Sequence, residues 1–315
     1  MVAAKIIGIF AIVFVGYGAN KIGWLPVESS RYFSVLAINI SGPCMLIMSI
    51  ADREPNVSNT GAILLMFLVA ALGYAGQLCF AKLFIRIRRI PRTDWGVYLN
   101  ALAFTNSGFI GFAVANAIFG SEGLFLIAMI NAITPIFLYT AGTAYFRKDA
   151  AAINGILPER VSVRSSIRKV FNAPIIGTLI GLSIFFLRVP IPPAVGDVLS
   201  ALGALMTPLA MIVVGLQLTE SRPKEMIQNT NLLLVALCRL VVLPVIVLLI
   251  LLPFHLPQTM TATVTLNFLL PCSAVMPALA TEVGANGKLA AEATFLTTLF
   301  SVITLPVASV LLHLL

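Results

Sequence analysis

Residues 104–111 read FTNSGFIG and lie in the middle of a long apolar run that predicts a membrane span. Glycine loosens a helix, and polar side chains are costly in lipid unless they find partners. Residues 270–277 read LPCSAVMP and interrupt a second apolar run, where each proline removes one backbone donor. Broken backbone at membrane depth is tolerated only where it packs against protein or lines a cavity. The two stretches therefore predict a pair of broken helices in a membrane protein.

The composition of the whole chain agrees with a membrane protein. Of the 315 residues, 59% are hydrophobic and 10% are charged, whereas soluble domains contain about 25% charged residues. The net charge of +8 comes from Lys and Arg in short loops between apolar runs. A nucleic-acid binder would group these residues on one face with polar and aromatic side chains. We therefore predict the lipid bilayer, and not nucleic acid, as a partner.

The chain contains ten apolar runs that approach or exceed the ~20 residues needed to cross the hydrocarbon. Turn residues, mainly glycine and proline, separate these runs. We predict an all-α membrane protein with ten transmembrane helices near residues 5–22, 31–50, 60–84, 93–119, 122–146, 170–187, 192–218, 230–252, 258–284 and 288–313.

Lys and Arg are distributed unequally between the two sides of these helices. Sixteen of the twenty lie in or beside loops that follow odd-numbered helices, and three lie on the opposite side, namely Lys5, Arg53 and Arg188. Loops with an excess of Lys and Arg face the cytoplasm. The prediction is a multi-pass protein of the plasma membrane, which is the inner membrane in a bacterium, with a cytoplasmic linker and both termini on the external side, which would be the periplasm.

The basic linker, residues 147–169, divides the chain into two halves of five predicted helices each. An odd number of spans in each half inserts the second half upside down relative to the first. We therefore predict a first repeat over residues 1–146 and a second, inverted repeat over residues 170–315. An offset of 165 residues relates similar features of the halves, as it aligns Gly16 with Gly181, Pro43 with Pro208, and 105–108 with 270–273.

Polar groups at the two interruptions are suited to binding an anion. The N-terminal end of a half-helix offers free N–H groups and a partial positive charge. Interruptions at related places in both halves favour a transport site over two kinks that only help packing. The predicted substrate-binding residues here are Asn106, Ser107, Gly108, Cys272 and Ser273, and the predicted hinges are Gly111, Pro271 and Pro277.

Two further places supply candidate site residues. The second predicted helix contains Asn39 and Pro43, and the seventh contains Thr207 and Pro208. We predict that each proline is a hinge, and that each of the two polar residues either binds the ligand or caps a kink. Arg239 is the one cation in the interior of a predicted span, because the other cations that fall within these ranges lie near their ends. It either extends to the membrane interface or attracts a substrate anion.

Other polar residues within the spans allow a coupling cation, Na⁺ or H⁺, although joining helices by hydrogen bonds is their commoner role. These residues are Gln77, Asn100, Asn131 and Thr134. The four cysteines lie in apolar runs without a close C-x-x-C pair, and no H-E-x-x-H or phosphate-binding loop is present. We predict no metal site, no cofactor and no enzymatic activity.

Several ordered motifs extend over most of the chain. They are the stretch 106–111 followed by 118–120, the stretch 202–210 with Gly215 and Leu218, the stretch 276–278, and the stretch 297–306. Together they resemble the motifs of the auxin efflux carrier family, which includes plant auxin exporters and bacterial malate and malonate permeases.

The resemblance implies a 5+5 inverted repeat in which broken helices four and nine cross. It implies a scaffold domain of helices 1, 2, 6 and 7, a transport domain of helices 3–5 and 8–10, elevator-type alternating access for carboxylates, and a relation to bile-acid sodium symporters. Members of the family often carry proline shortly after the position of Gly111, where this chain has Phe112 and Ala113. The chain also lacks the long cytoplasmic loop of the plant exporters. Both departures favour a bacterial organic-acid carrier.

The leading hypothesis from the sequence is a secondary transporter of a small organic anion. The alternatives are a sodium-coupled symporter of bile-acid type and a membrane receptor that does not transport. The sequence leaves open which acid is carried, the direction of transport, the coupling ion, and whether the protein forms a homodimer.

Overall fold

The computed structural model describes residues 2–52, 57–155, 169–219, 226 and 228–314. Throughout these ranges the regular elements are helices, and the backbone forms an isolated β-bridge but no strand. Six of the helices are long and apolar enough to cross a membrane. The prediction of an all-α membrane protein is confirmed at this level.

We number the helices in chain order. They are α1 (Val2–Lys21), α2 (Ser29–Ala51), α3 (Val57–Ile87), α4 (Trp95–Ala103), α5 (Ser107–Asn154), α6 (Ala173–Leu187), α7 (Pro193–Thr219), α8 (Thr230–Phe254), α9 (Gln258–Leu269), α10 (Met276–Glu282) and α11 (Gly287–Leu314). Wider π-helical turns interrupt α2 at Ala37–Ser41, α5 at Ser107–Gly111 and Leu138–Gly142, and α8 at Cys238–Val242.

Two of the predicted helices are each divided in the structure. The predicted helix 93–119 becomes α4 and the beginning of α5, and the predicted helix 258–284 becomes α9 and α10. Both divisions fall at the stretches 104–111 and 270–277, where glycine, proline and polar residues weaken the helix. α5 also continues into the predicted linker, and residues 156–168 of that linker lie outside the described residues.

α5 changes direction at Gly120. The run of 48 residues is more than twice the length of one membrane crossing. Gly120 has φ 63° and ψ −153°, a conformation that glycine adopts without a clash because it has no Cβ. This residue divides α5 into an arm of residues 107–119 and an arm of residues 121–154.

Two close helix contacts are related by the predicted offset. Where α1 packs on α7, a methyl group at Gly16 would clash with the Ile212 carbonyl oxygen. Where α6 packs on α2, a methyl group at Gly181 would lie 3.3 Å from the Ile47 Cα. Gly181 follows Gly16 by 165 residues, and Ile212 follows Ile47 by the same number. The contact of α1 with α7 and the contact of α6 with α2 are therefore equivalent to each other under the offset of 165 residues.

The distribution of apolar side chains matches a lipid environment. The second arm of α5 is buried along residues 123–131, so it lies in the core. In contrast, Leu64, Leu68 and Leu72 on one face of α3 are each more than half exposed, as is Leu249 on α8. Apolar patches of this extent on a protein surface mark contact with another apolar phase. Lipid is that phase for a chain with six apolar spans.

Candidate functional site

The segments that follow α4 and α9 leave the helical conformation and pair with each other. Phe104 has φ −113° and ψ 127°, and Leu270 has φ −65° and ψ 149°, which are extended conformations. Beyond these residues, Thr105 and Cys272 form an antiparallel β-bridge. We call this pairing, residues 104–106 with residues 271–273, the crossover.

Two backbone hydrogen bonds hold the crossover. The N–H of Asn106 donates to the carbonyl of Pro271 at 2.9 Å, and the N–H of Ser273 donates to the carbonyl of Phe104 at 3.1 Å. Pro271 has no N–H, so it accepts from the opposite segment but donates nothing in return. The pairing gives partners to backbone groups that the end of each helix would leave unpaired in lipid.

One face of the crossover makes hydrogen bonds to neighbouring helices. The Thr105 hydroxyl donates to Asn267 Oδ1 at 3.4 Å, and the Cys272 N–H donates to Thr297 Oγ1 at 3.1 Å. Asn267 is fully buried, and its Nδ2 has no partner among the described residues. Most buried polar groups in proteins have a hydrogen-bond partner, and a bound ligand or an ordered water molecule is one way to supply it. Asn267 therefore joins the candidate site.

The opposite face carries polar groups that make no side-chain hydrogen bond within the described ranges. Side chains alternate along extended backbone, so Asn106 and Ser273 lie opposite to Thr105 and Cys272. Each is 7% exposed, and neither side chain makes a hydrogen bond to another residue that the structure describes. Ser41 in the π-helical turn of α2 is buried with an unpaired hydroxyl, and this turn packs against the first turn of α5.

The first turn of α5 begins directly at the crossover. The N–H of Gly111 donates to the Asn106 carbonyl at 2.9 Å, and a methyl group at Gly111 would lie 2.7 Å from Leu270 Cδ1. Gly111 thus allows the opposite segment to approach closely. The Ser107 hydroxyl donates to Asn131 Oδ1 at 2.8 Å, and the nearest atom to a methyl group at Gly108 would be the same oxygen, at 3.2 Å.

Arg239 of α8 lies behind the crossover, fully buried. Its Nε donates to the Leu270 carbonyl at 3.0 Å, and its Nη1 donates to the Leu102 carbonyl. Nη2 has no partner among the described residues. The guanidinium therefore turns toward the ends of α4 and α9, and not toward the membrane interface.

The four predicted cation-site residues have separate partners. In the amide orientation that satisfies both of its groups, Gln77 donates to the Ala103 carbonyl at 2.6 Å and accepts from Arg239 Nη1 at 3.1 Å. Asn100 Nδ2 donates to the Gly96 carbonyl at 2.7 Å and to the Gly142 carbonyl at 3.1 Å. Asn131 accepts from the Ser107 hydroxyl, and the Thr134 hydroxyl shares a hydrogen bond of 2.6 Å with the Tyr74 hydroxyl. No hydrogen bond in the described part of the chain joins any two of the four.

The remaining predicted residues lie on α2, α7 and α10. Asn39 is exposed and Thr207 half-buried, on elements that pack against the first turn of α5. Pro277 lies in the first turn of α10, where a missing N–H costs little. Pro43 packs on α6, where a methyl group at Gly177 would lie 2.7 Å from its Cα. Pro208 lies in α7, two residues after Met206, where the second part of that helix begins.

Asp149, at the far end of α5, positions α4. Its carboxylate accepts hydrogen bonds from the N–H of Gly96 at 2.7 and 2.8 Å and from the N–H of Val97 at 3.3 Å. Both N–H groups lie in the first turn of α4, where backbone N–H groups have no partner within the helix. Asp149 is fully buried. A methyl group at Gly96 would lie 2.7 Å from the Phe146 nitrogen, so only glycine permits this contact.

Comparison with known proteins identifies the family of the chain. The membrane transport protein family matches residues 1–309, nearly the whole chain. The chain belongs to this family. It is also 26% identical over 308 residues to an uncharacterized transporter of Methanothermobacter thermautotrophicus, covering 98% of this chain and 97% of that protein. The resemblance drawn from the motifs is thereby confirmed, and the protein is a membrane transporter.

An apolar groove of about 500 Å³ lies between α3 and α8 of this membrane transport protein. Leu, Val, Ile and Phe side chains line most of it, including Leu68, Val247 and Phe268, with Gln77 as a polar exception. Such a lining suits a lipid tail and offers a carboxylate almost no donors. At the crossover, in contrast, several polar groups have no hydrogen-bond partner among the described residues.

Sequence reasoning missed Asn267 and Asp149 in this membrane transport protein. Asn267 precedes the interruption of α9 by one turn, so its signal was an amide inside an apolar run, as for Asn100. Asp149 was read as part of a basic linker, because Arg147 and Lys148 precede it. Only the packing of α5 beside α4 shows that its carboxylate is buried.

Proposed function

We propose that this protein is a secondary transporter that carries a small organic anion, a mono- or dicarboxylate, through the crossover. The observation that carries the proposal is the pairing of two interrupted helices beside polar groups that make no side-chain hydrogen bond in the described part of the chain. These groups are the side chains of Asn106 and Ser273, Asn267 Nδ2 and the Ser41 hydroxyl. A carboxylate that leaves water must replace its lost hydrogen bonds. Neutral donors at the crossover supply such replacements.

The first turn of α5 adds to these donors. The first N–H groups of a helix lack intrahelical partners and carry a partial positive charge. In α5 they belong to residues 107–110, immediately after Asn106. An anion bound there gains favourable electrostatics, and the empty site keeps no full charge on its binding surface. This favours a carrier that also reorients when it is empty.

The test of the proposal is counterflow in proteoliposomes. Purified protein is reconstituted with unlabelled acid inside, and uptake of the labelled acid is followed for a panel of mono- and dicarboxylates. We expect saturable accumulation of at least one acid and none with protein-free vesicles. Binding of a carboxylate without any counterflow would instead indicate the receptor alternative.

The inverted 5+5 repeat is part of the same proposal. Gly16 contacts Ile212, and Gly181 contacts Ile47. An offset of 165 residues relates these two contacts, and this correspondence supports the repeat. With the two arms of α5 counted separately and the broken pairs joined, the helices give ten crossings. The packing of α1 on α7, and of α6 and α7 on α2, supports a scaffold of four crossings. The other six would then move against it as an elevator-type transport domain.

The proposed orientation places the linker in the cytoplasm and both termini in the periplasm. Residues assigned to the cytoplasmic side do contact one another, since Lys169 Nζ lies 2.6 Å from Glu282 Oε1 and Arg88 Nε donates to Asn231 Oδ1 at 2.9 Å. An impermeant thiol reagent on intact cells tests the orientation, once the four native cysteines are replaced. We expect Ala194→Cys to be labelled and Ala152→Cys to be protected until the membrane is opened. The reverse pattern would invert the topology.

A further inference from the structure

The Arg239 guanidinium holds the ends of two half-helices together. Its Nε donates to the Leu270 carbonyl just after α9, and its Nη1 donates to the Leu102 carbonyl in the last turn of α4. Gln77 of α3 accepts from the same Nη1 and donates to the Ala103 carbonyl. One buried cation thus joins α3, α4, α8 and α9 at the crossover.

The charge that balances Arg239 comes from the backbone. Among the described residues no Asp or Glu forms an ion pair with it. The C-terminal end of a helix carries roughly half a negative charge on its unpaired carbonyls. α4 and α9 both end at this place, so together they present about one negative charge to the guanidinium.

The same carbonyls are the groups that a sodium ion would use. In transporters with broken helices, unwound carbonyls and the C-terminal ends of half-helices coordinate Na⁺. Here the carbonyl oxygens of Leu102 and Leu270 and the amide oxygen of Gln77 accept from Arg239 instead. A second positive charge bound to the same carbonyl oxygens would lie next to the guanidinium and would be repelled by it.

We propose that Arg239 is a built-in counter-charge at the crossover, in the place that a coupling sodium ion would take, so that this carrier works without sodium. The consequence for coupling rests on the proposed transport function. The role of Arg239 in the folded protein does not, because it concerns contacts that exist without substrate.

The experiment measures thermal melting of the purified protein without any carboxylate. The parent protein is compared in sodium, potassium and choline chloride at equal ionic strength, and we expect the same melting temperature in all three. Arg239→Ala should melt several degrees lower, and free guanidinium ion at millimolar concentration should restore part of the loss. Arg188→Ala, which removes an exposed arginine, should melt like the parent and should not respond to guanidinium.

Stabilisation of the parent by sodium over potassium would overturn the proposal, as would an Arg239→Ala protein that melts like the parent. If Arg239→Ala cannot be purified, Arg239→Lys keeps the charge with fewer directed donors, and sodium should still not stabilise it. Failure of the carboxylate proposal leaves these melting results unaffected. Carboxylate counterflow that requires sodium would contradict this inference alone.

Discussion

Asp149→Ala is expected to unfold well below the parent protein, with a loss of about 3 kcal/mol or more. The Asp149 carboxylate accepts from the N–H groups of Gly96 and Val97 in the buried first turn of α4. A typical hydrogen bond contributes about 0.5–1.5 kcal/mol, and each buried donor left unpaired costs about 1–3 kcal/mol. The expected loss therefore exceeds that of one ordinary hydrogen bond.

Thermal melting in detergent, followed for the parent and its variants, measures this loss. Asp149→Asn keeps one acceptor oxygen, so its melting temperature should lie between those of the parent and Asp149→Ala. Asp197→Ala is the matched control, because Asp197 is exposed at the beginning of α7. Equal melting of Asp149→Ala and Asp197→Ala would show that the carboxylate does not hold α4 in place.

Asn106→Ala is expected to weaken carboxylate binding by about ten- to a hundredfold. The Asn106 side chain lies at the crossover with no partner among the described residues, so it can donate to a bound anion. A donor to a charged group is worth about 1.5–3 kcal/mol, and each factor of ten in affinity corresponds to about 1.4 kcal/mol. Because the side chain makes no hydrogen bond to the residues that the structure describes, the melting temperature should change little.

Asn116→Ala is the control for this variant, since Asn116 lies in the same arm of α5 and is half-buried, but is removed from the crossover by more than two turns. Calorimetric titration with an acid found by counterflow gives the affinity of each variant. An Asn106→Ala protein that binds like the parent, or a larger effect from Asn116→Ala, would place the substrate elsewhere.

The interruptions of the two helices could be predicted from the sequence because their signals are local. The stretch 104–111 combines glycine with polar residues, and the stretch 270–277 contains two prolines within an apolar run. Each weakens a helix by its own chemistry, wherever the helix lies. α4 and α9 do end at these stretches.

The partners of the buried polar groups could not be predicted, because they are set by packing. The sequence showed Arg239 within a span, but the carbonyls that it binds, those of Leu102 and Leu270, lie 137 and 31 residues away along the chain. A carbonyl is present at every residue, so no side chain marks which of them meet a guanidinium. The same holds for Asp149, whose partners are backbone N–H groups.

The most direct test of the carboxylate site is protection of a thiol placed at the crossover. Ser273→Cys, in a protein without its four native cysteines, is modified by a small thiol reagent in proteoliposomes with and without a transported acid. We expect the acid to slow modification at concentrations that match its affinity, while the exposed Ala194→Cys thiol reacts at an unchanged rate. If a transported acid leaves the reaction of the Ser273→Cys thiol unchanged at saturation, the substrate does not bind at the crossover.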